Sequence, residues 1–378
     1  MGIHQLNIIS FNVPYPANYG GVIDVFYKIK HLHKNGIKVH LHCFDYGRGK
    51  QSELEKYCET VHYYKRQTGV FSFLSLTPYI VKSRVAAELK SNLLKNDFPI
   101  LFEGLHTSFL LNDKAFKKHF TILRATNIEH DYYSYLAKAE QHFFKKIYFS
   151  IEAWKAKKYE PIVQQANLIL VVSKTDENYF NTQYPTNKTV FIPCFHAEEK
   201  IEIQQGKGNY VLYHGNLGVP ENEAAALVIC NEIFNSLDIP LIIAGLNPTK
   251  KLSSTINKYK NIQLVGNPTE SKMQELISNA QINLLYTHQP TGLKLKLLHS
   301  LFKGRFCLAN STMLSGTTLT NLCEIADDNE TFKAKIRTLF QQEIDVETVK
   351  TQREALLANY SNQENCLKLI DAITNQLV

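Results

Sequence analysis

Leu6-Asn7-Ile8-Ile9-Ser10-Phe11, the loop Asn12-Val13-Pro14-Tyr15-Pro16-Ala17-Asn18-Tyr19-Gly20-Gly21, the segment Val22 to Lys34, and Asn35-Gly36 before Ile37-Lys38-Val39-His40-Leu41-His42-Cys43 together decide the fold class. The first run is short and apolar and predicts a strand. The loop is dense in turn formers. Val22, Val25, Phe26 and Ile29 fall on one face of a helix. Asn35-Gly36 supplies its C-terminal stop, and the run from Ile37 is the next strand. Strand, helix, strand in this order is a βαβ unit, whose strands pair in parallel.

The pattern continues outward from that unit. Pro99 to Glu103 and Phe120 to Arg124 are further short strands, and Ser134 to Gln165 is one long helix or two successive ones. Leu168 to Val172 is a strand with a helix from Lys174, and Thr189 to Pro193 leads to a charged linker at Glu198 to Gly208. A second set follows: strands at Asn209 to Tyr213, Pro240 to Gly245, Ile262 to Gly266 and Ile282 to Tyr286, with helices at Glu221 to Asn235 and Ser271 to Ser278. This rhythm predicts an α/β protein with two doubly wound parallel sheets. The expected divisions are residues 1–195, residues 209–345, and a helical C-terminal segment, 346–378, that packs back toward the first domain.

The chain of 378 residues has the composition of a folded protein, 44% hydrophobic and 20% charged. No run of about 18 apolar residues is present, so no spanning helix is expected. Met1 to Leu6 has neither a basic n-region nor a cleavage site, so no signal peptide is expected either. Seven cysteines stand singly without C-x-x-C spacing, which predicts free thiols in a reducing cytoplasm and no zinc site. Residues 1–165 hold 23 Lys and Arg against 14 Asp and Glu, whereas the rest of the chain is slightly acidic. A basic first half suits an anionic surface or an anionic substrate.

Thr291-Gly292-Leu293-Lys294-Leu295-Lys296-Leu297-Leu298-His299-Ser300-Leu301 reads as a buried helix with Thr291 as N-cap. Lys294 and Lys296 oppose the helix dipole there unless a bound phosphate reverses the conflict. Either the pair holds a diphosphate, or both ammonium groups snorkel to solvent. Ligands of open parallel sheets bind beyond strand C-termini. That rule selects Asn12 to Gly21, Glu103 to His106, Asn127 to His130, His214 to Asn216, Gly266-Asn267 and Thr291-Gly292. His106 is a candidate general base, with Glu103 as the carboxylate that orients it. No Asp-x-Asp occurs, and no metal is expected. The basic aromatic segment His142 to Tyr159 either lies on anionic lipid or packs its aromatic rings in the core and solvates its lysines.

These segments, in this order and over nearly the whole chain, resemble the GT-B-fold glycosyltransferases of the family 4 type (glycosyl transferases group 1). Pro14 to Gly21 resembles their glycine-pair loop, His214-Gly215-Asn216-Leu217-Gly218-Val219-Pro220-Glu221-Asn222 their phosphate-side loop, Val265-Gly266-Asn267 the loop beside the nucleobase, and Thr291 to Leu301 the donor helix. The resemblance implies two Rossmann-like domains facing across a cleft, the first for the acceptor and the second for the donor. It implies a cytoplasmic, metal-independent hexosyltransferase with no cofactor. Its donor is a nucleotide-diphosphate sugar and its acceptor a glycan or a lipid-linked glycan, with peripheral contact to the inner membrane surface. It implies donor contacts from Gly20, Gly21, Gly215, Asn216, Gly266, Asn267, Thr291, Gly292, Lys294, Lys296 and His299, and acceptor-side contacts from Tyr15, Asn127, Glu129 and His130. The sequence departs from the family at Thr291 and His299, where a pair of glutamates is usual, and near Asn216, where an arginine is usual. A nucleotide-sugar epimerase of the same architecture remains an alternative. So does a basic nucleic-acid-binding protein, which would bind oligonucleotides with steep salt dependence. An NAD-dependent oxidoreductase is disfavoured, because no Gly-x-Gly-x-x-Gly follows the first strand.

Overall fold

The computed structural model describes residues 3–292 and 294–377; Leu293, one of the leucines in the lysine-bearing segment, lies outside them. Two parallel sheets carry the fold. The first holds β1 (Gln5–Ser10), β2 (Lys38–Asp45), β3 (Thr60–Lys65), β4 (Ile100–Glu103), β5 (Thr121–Ala125), β6 (Leu168–Val171) and β7 (Lys188–Phe191), in the order β3-β2-β1-β4-β5-β6-β7. The second holds β8 (Val211–Asn216), β9 (Leu241–Leu246), β10 (Ile262–Gly266), β11 (Ile282–Leu285), β12 (Phe306–Ala309) and β13 (Glu324–Ile325), in the order β10-β9-β8-β11-β12-β13. Leu6, Ile8 and Ile9 of β1 are all fully buried. Both faces of the strand are therefore covered, as a parallel sheet with helices on each side requires.

The chain forms two compact units. The first runs up to Ala137 and adds Ile147–His196 and the residues from Asn359 on; the second comprises Lys138–Lys146 and Ala197–Ala358. The C-terminal segment is thus two helices with different partners. Cys366, Leu369, Ala372 and Ile373 of Asn362–Leu377 join the core of the first unit. The preceding helix, Val346–Tyr360, is held in the second unit by Arg353, which donates to the carbonyls of Leu301, Gly304 and Arg305 at 2.8, 2.6 and 2.7 Å. No helix of the described residues is long and apolar enough to cross a membrane.

In the first unit the helix Gly20–Lys34 buries Val22, Val25, Phe26, Ile29 and Leu32, and ends where Gly36 takes a left-handed φ of 79°. Its core face also carries Asp24 and Lys28, both almost fully buried. Lys28 Nζ lies 2.6 Å from Glu103 Oε1 and 3.1 Å from Asp24 Oδ2. Arg124 on β5 donates to Asp24 at 3.2 and 3.3 Å, and the Phe195 N–H donates to Asp24 at 2.7 Å. Two cations and two carboxylates thereby close a neutral set beneath the helix. Burial raises the Asp24 carboxyl, but Arg124 and Lys28 outweigh burial and hold it below the usual carboxylate range.

Candidate active site

Each sheet reverses its strand order beside its own first strand. The chain lays β2 and β3 on one flank of β1 and β4 on the other; it lays β9 and β10 on one flank of β8 and β11 on the other. Open parallel sheets bind ligands beyond the strand C-termini at such a reversal. Each unit therefore has one expected crevice, and the two are described separately.

In the first unit the crevice lies past β1 and β4. Phe11 follows β1, and its ring centroid is 5.2 Å from that of His106, which follows β4 in the 3-10 segment Leu105–Leu110. A Cβ on Gly21 would come within 2.5 Å of the Phe11 ring, so the glycine pair lets the first helical turn lie against it. Gly104 has φ 73°, and a Cβ there would sit 2.8 Å from His106 Nδ1. Only glycine satisfies both conditions, a requirement the sequence reading missed although Glu103-Gly104-Leu105-His106 displays it. His106 Nδ1 lies 3.8 Å from Glu129 Oε1, and both atoms are buried without a hydrogen-bond partner. Arg84 closes the same pocket: its Nε donates to the Phe11 carbonyl at 2.7 Å and its Nη1 to that of Ile80 at 2.6 Å.

Burial, with Arg84 and Arg66 adding to it, holds the His106 imidazole well below its ordinary pKa. Burial pushes the Glu129 carboxyl up to about 8 against the pull of Arg84, and Glu160 raises it further. At neutral pH the pair is a neutral imidazole beside a mostly protonated carboxyl, suited to giving or taking one proton. A carboxyl whose pKa is raised by folding costs stability as pH rises from its unfolded value toward its folded value. Glu129→Gln, which cannot ionise, is expected to change stability by less than about 1 kcal/mol at pH 5 and to stabilise the fold by about 4 kcal/mol at pH 8.5. Urea unfolding at the two pH values measures this; an equal effect at both would contradict a buried protonated carboxyl.

The other residues expected on this side scatter. Glu103 is corrected from orienting carboxylate to structural ion, because its Oε1 is held by Lys28 inside the core. Glu129 stands nearest His106 in its place. His130 points into a different cluster, its Nε2 2.9 Å from the Tyr179 hydroxyl and 3.4 Å from Glu160 Oε2. Glu160 also accepts from Tyr179 and Tyr184 at 2.5 and 2.9 Å. Tyr15 packs its ring 5.3 Å from Phe26, against the core. Gly20 is the exposed first residue of its helix, and Asn127 is half-buried.

In the second unit the crevice lies past β8 and β11, and backbone approach is tight there. Gly215 pairs with Gly245, and a Cβ on Gly245 would fall 1.7 Å from the Gly215 carbonyl oxygen. The Asn267 N–H donates to the Gly245 carbonyl at 2.8 Å, and Asn267 Oδ1 accepts from the Asn247 N–H at 2.8 Å. Gly266 ends β10. Asn216 Oδ1 accepts from Gly218 N–H, and the Asn216 carbonyl accepts from Asn222 Nδ2 at 3.1 Å.

The lysine-bearing segment needs a correction. The helix starts at Leu295, not at Thr291, and Lys294 occupies the cap position without a side-chain cap bond. Thr291 instead belongs to the preceding loop, where its hydroxyl accepts from Gln289 Nε2 at 2.7 Å and its carbonyl accepts from Lys294 Nζ. Gly292 turns that loop with φ 62°. The two lysines therefore separate: Lys294 folds back on its own loop, and Lys296 points inward. Lys296 Nζ lies 3.3 Å from Asn222 Oδ1 and 5.1 Å over the Tyr213 ring. Burial lowers its pKa, and Glu221 works the other way. The Glu221 carboxylate itself is engaged by the Thr287 hydroxyl and by the His288 N–H at 3.3 Å.

His214 lies in the C-terminal part of β8, where the strand-end rule selects it. It is buried, its Nε2 has no hydrogen-bond partner, and burial, then Lys296 and His299, push its pKa down to about 3. Lys296, His214 and His299 thus form a basic group that is electrostatically coupled, with the nearest carboxylate already committed. Such a group favours an anion. Among the described residues no cluster of His, Cys, Asp and Glu could hold a metal ion.

No family model matches the chain. It is 28% identical over 335 residues to an uncharacterized 44.6 kDa protein in the cps region of Klebsiella pneumoniae, covering 83% of this chain and 84% of that one. Among solved structures, S. aureus TarM in complex with fondaparinux, alpha-GlcNAc-glycerol and UDP aligns over 99% of this chain and 100% of its own, with TM-score 0.67 and 11% identity. A glycosyltransferase from Rickettsia africae aligns over 100% and 99%, with TM-score 0.64 and 14% identity. Two parallel α/β units, each with its crevice at a strand-order reversal, and full-length superposition on these proteins lead to one conclusion: the chain has the GT-B fold.

Proposed function

We propose that the chain is a glycosyltransferase that moves a hexose from a nucleotide-diphosphate sugar to a glycan or lipid-linked acceptor, without a metal. The observation that carries this reading is Lys296, a half-buried, inward-pointing cation electrostatically coupled to His214, whose Nε2 is orphaned, past the switch point of the second sheet. A leaving diphosphate gains charge as the glycosidic bond breaks, and a fixed cation in a water-poor site stabilises that charge strongly. His299 stands where the resemblance implies a donor contact. The first unit takes the acceptor, and its neutral His106 accepts a hydroxyl proton or hydrogen bond. The seven free cysteines suit a reducing compartment, the cytoplasm.

A thermal-shift panel of UDP, GDP, dTDP and CMP, each with its sugars, tests the donor site. One nucleotide at about 100 times its Kd should add roughly 2.7 kcal/mol and raise the melting temperature. Sugar transfer should then need an acceptor and survive EDTA. No shift with any nucleotide would remove the donor reading, and turnover of the nucleotide sugar without acceptor would favour the epimerase.

A further inference from the structure

Cys307 and Cys323 stand side by side at the edge of the second sheet. β13 pairs with β12 in parallel through Leu308 opposite Glu324 and Ala309 opposite Ile325. One residue back, the same register sets Cys307 opposite Cys323. Residues paired in this way point to one face, on strands about 4.7–4.9 Å apart. A disulfide needs Cα atoms roughly 4.4–6.8 Å apart, so the backbone already allows one. The two thiols share a hydrogen bond.

Cys307 has further partners. Its S–H donates to the Ser300 carbonyl at 3.3 Å, and Arg353 Nη2 donates to its Sγ at 3.8 Å. The hydrogen bond from Cys323 and the Arg353 guanidinium together outweigh burial and hold the Cys307 thiol below the usual cysteine value. Burial does the opposite elsewhere: it pushes the thiols of Cys58, Cys194, Cys230 and Cys366 up to about 12. A thiolate stabilised by a cation and set beside a second thiol is the arrangement of a redox pair. Cys307 is buried and Cys323 is half-buried on the way to the edge strand, so a small oxidant is needed to pass the one and meet the other. What the pair controls follows from topology. β13 has two residues and edges the sheet, so the crossover 310–323 is lightly held at its far end. Its near end borders the crevice of the second unit, where Asn310 donates to the Thr287 carbonyl at 2.7 Å and accepts from the Thr287 N–H at 3.2 Å. A bond from Cys307 to Cys323 closes this crossover into a ring and limits its opening.

We propose that Cys307 and Cys323 form a redox latch, which a hydroperoxide closes as a disulfide between β12 and β13 and a thiol reductant reopens. The Cys307 thiolate attacks one peroxide oxygen, the O–O bond breaks, and the departing oxygen takes a proton; Cys307 becomes a sulfenic acid. The Cys323 sulfur then attacks Cys307 Sγ, the S–O bond breaks, and the hydroxyl leaves as water with the Cys323 proton. Two thiols and hydrogen peroxide give one disulfide and two waters, with two electrons passing from sulfur to oxygen. In a reducing compartment such a disulfide is transient, as a switch requires. The latch is independent of the donor chemistry assigned to the second unit, so either proposal can fail alone. The reduced full-length protein should present seven thiols to N-ethylmaleimide once unfolded. A small excess of hydrogen peroxide should remove two of them, Cys307 and Cys323, and dithiothreitol should restore both. Amide exchange over residues 320–326 should slow roughly tenfold in the oxidised protein. Cys323→Ser should form no disulfide and should accumulate a sulfenic acid on Cys307 that dimedone traps. If that variant does not fold, the thiol count and exchange of the wild type carry the test. A full set of reactive thiols after peroxide, oxidation spread over the other cysteines, a folded Cys323→Ser protein whose Cys307 stays a thiol, or a disulfide with unchanged exchange over 320–326 would each overturn the proposal.

Discussion

Asp24→Asn is expected to destabilise the first unit by about 3–5 kcal/mol, the largest single-residue effect on stability in the molecule. Asp24 is the hub of the buried ion set: it takes both Arg124 contacts, one from Lys28 and the Phe195 N–H. Neutralising it leaves two buried cations against Glu103 alone. Arg124 also donates to the Ile192 and Pro193 carbonyls at 2.6 and 3.0 Å, so it cannot swing out to water without abandoning the chain just beyond β7. Urea unfolding followed by Trp154 fluorescence measures the loss. The paired change Lys28→Met with Glu103→Leu removes one cation and one anion and leaves Asp24 and Arg124 matched. It should therefore cost less than Asp24→Asn, although it alters two residues. The pH dependence has a fixed sign. A carboxyl held below its unfolded pKa stabilises above that unfolded value, and the stabilisation is lost as pH falls through the folded one. The wild type should lose stability in acid, and the Asp24→Asn protein should lose less over the same range. A cost below about 1 kcal/mol for Asp24→Asn would mean that the set is solvated in solution.

The sequence makes the two sheets legible because their strands are buried on both faces and read as short apolar runs: Leu6 to Phe11, Leu168 to Val172, Pro240 to Gly245. The strand Thr60–Lys65 escaped because it is a half-buried edge strand next to β2 alone, without an apolar run. Glycine positions in the sites were legible for a similar reason: Gly21, Gly215 and Gly266 directly follow or end a strand or open a helix. The partners of charged groups were not. Sequence proximity joined Glu103 to His106, but successive residues of a strand point to opposite sides, and Glu103 turns under the first helix to Lys28. Glu129, a distant residue, arrives at His106 through the neighbouring strand β5 and the helix start after it. Periodicity also left the two faces of the helix Phe143–Tyr159 undecided. A helix that exposes its aromatic rings and buries Glu152 with Lys155 has the same alternation as one that does the reverse; the pattern gives two faces and not their direction.

Lys296→Met is expected to weaken nucleoside diphosphate binding roughly 100-fold, while unfolding stability stays unchanged or rises. The two halves of this outcome have one cause. Lys296 is half-buried, its pKa is lowered by desolvation, and its hydrogen bond to Asn222 Oδ1 is a long one, 3.3 Å. A charge in that position is a cost to the free protein. Methionine fills much the same volume over Tyr213 and carries no charge, so the fold loses little. A diphosphate, by contrast, loses a charge-assisted hydrogen bond in a place where water replaces it poorly. Isothermal titration with the nucleoside diphosphate selected by the thermal panel, and with the bare nucleoside, separates the terms: the nucleoside should bind nearly as before. Lys294→Met is the control from the same segment. Its ammonium already serves the Thr291 carbonyl, so the change should alter the loop and cost binding much less. Equal losses for nucleoside and nucleoside diphosphate in Lys296→Met would point to a damaged fold. Equal losses for the two lysine variants would return the diphosphate to the helix start as a whole. A large loss confined to Lys296→Met and to the diphosphate identifies the inward lysine as the group that receives the leaving charge.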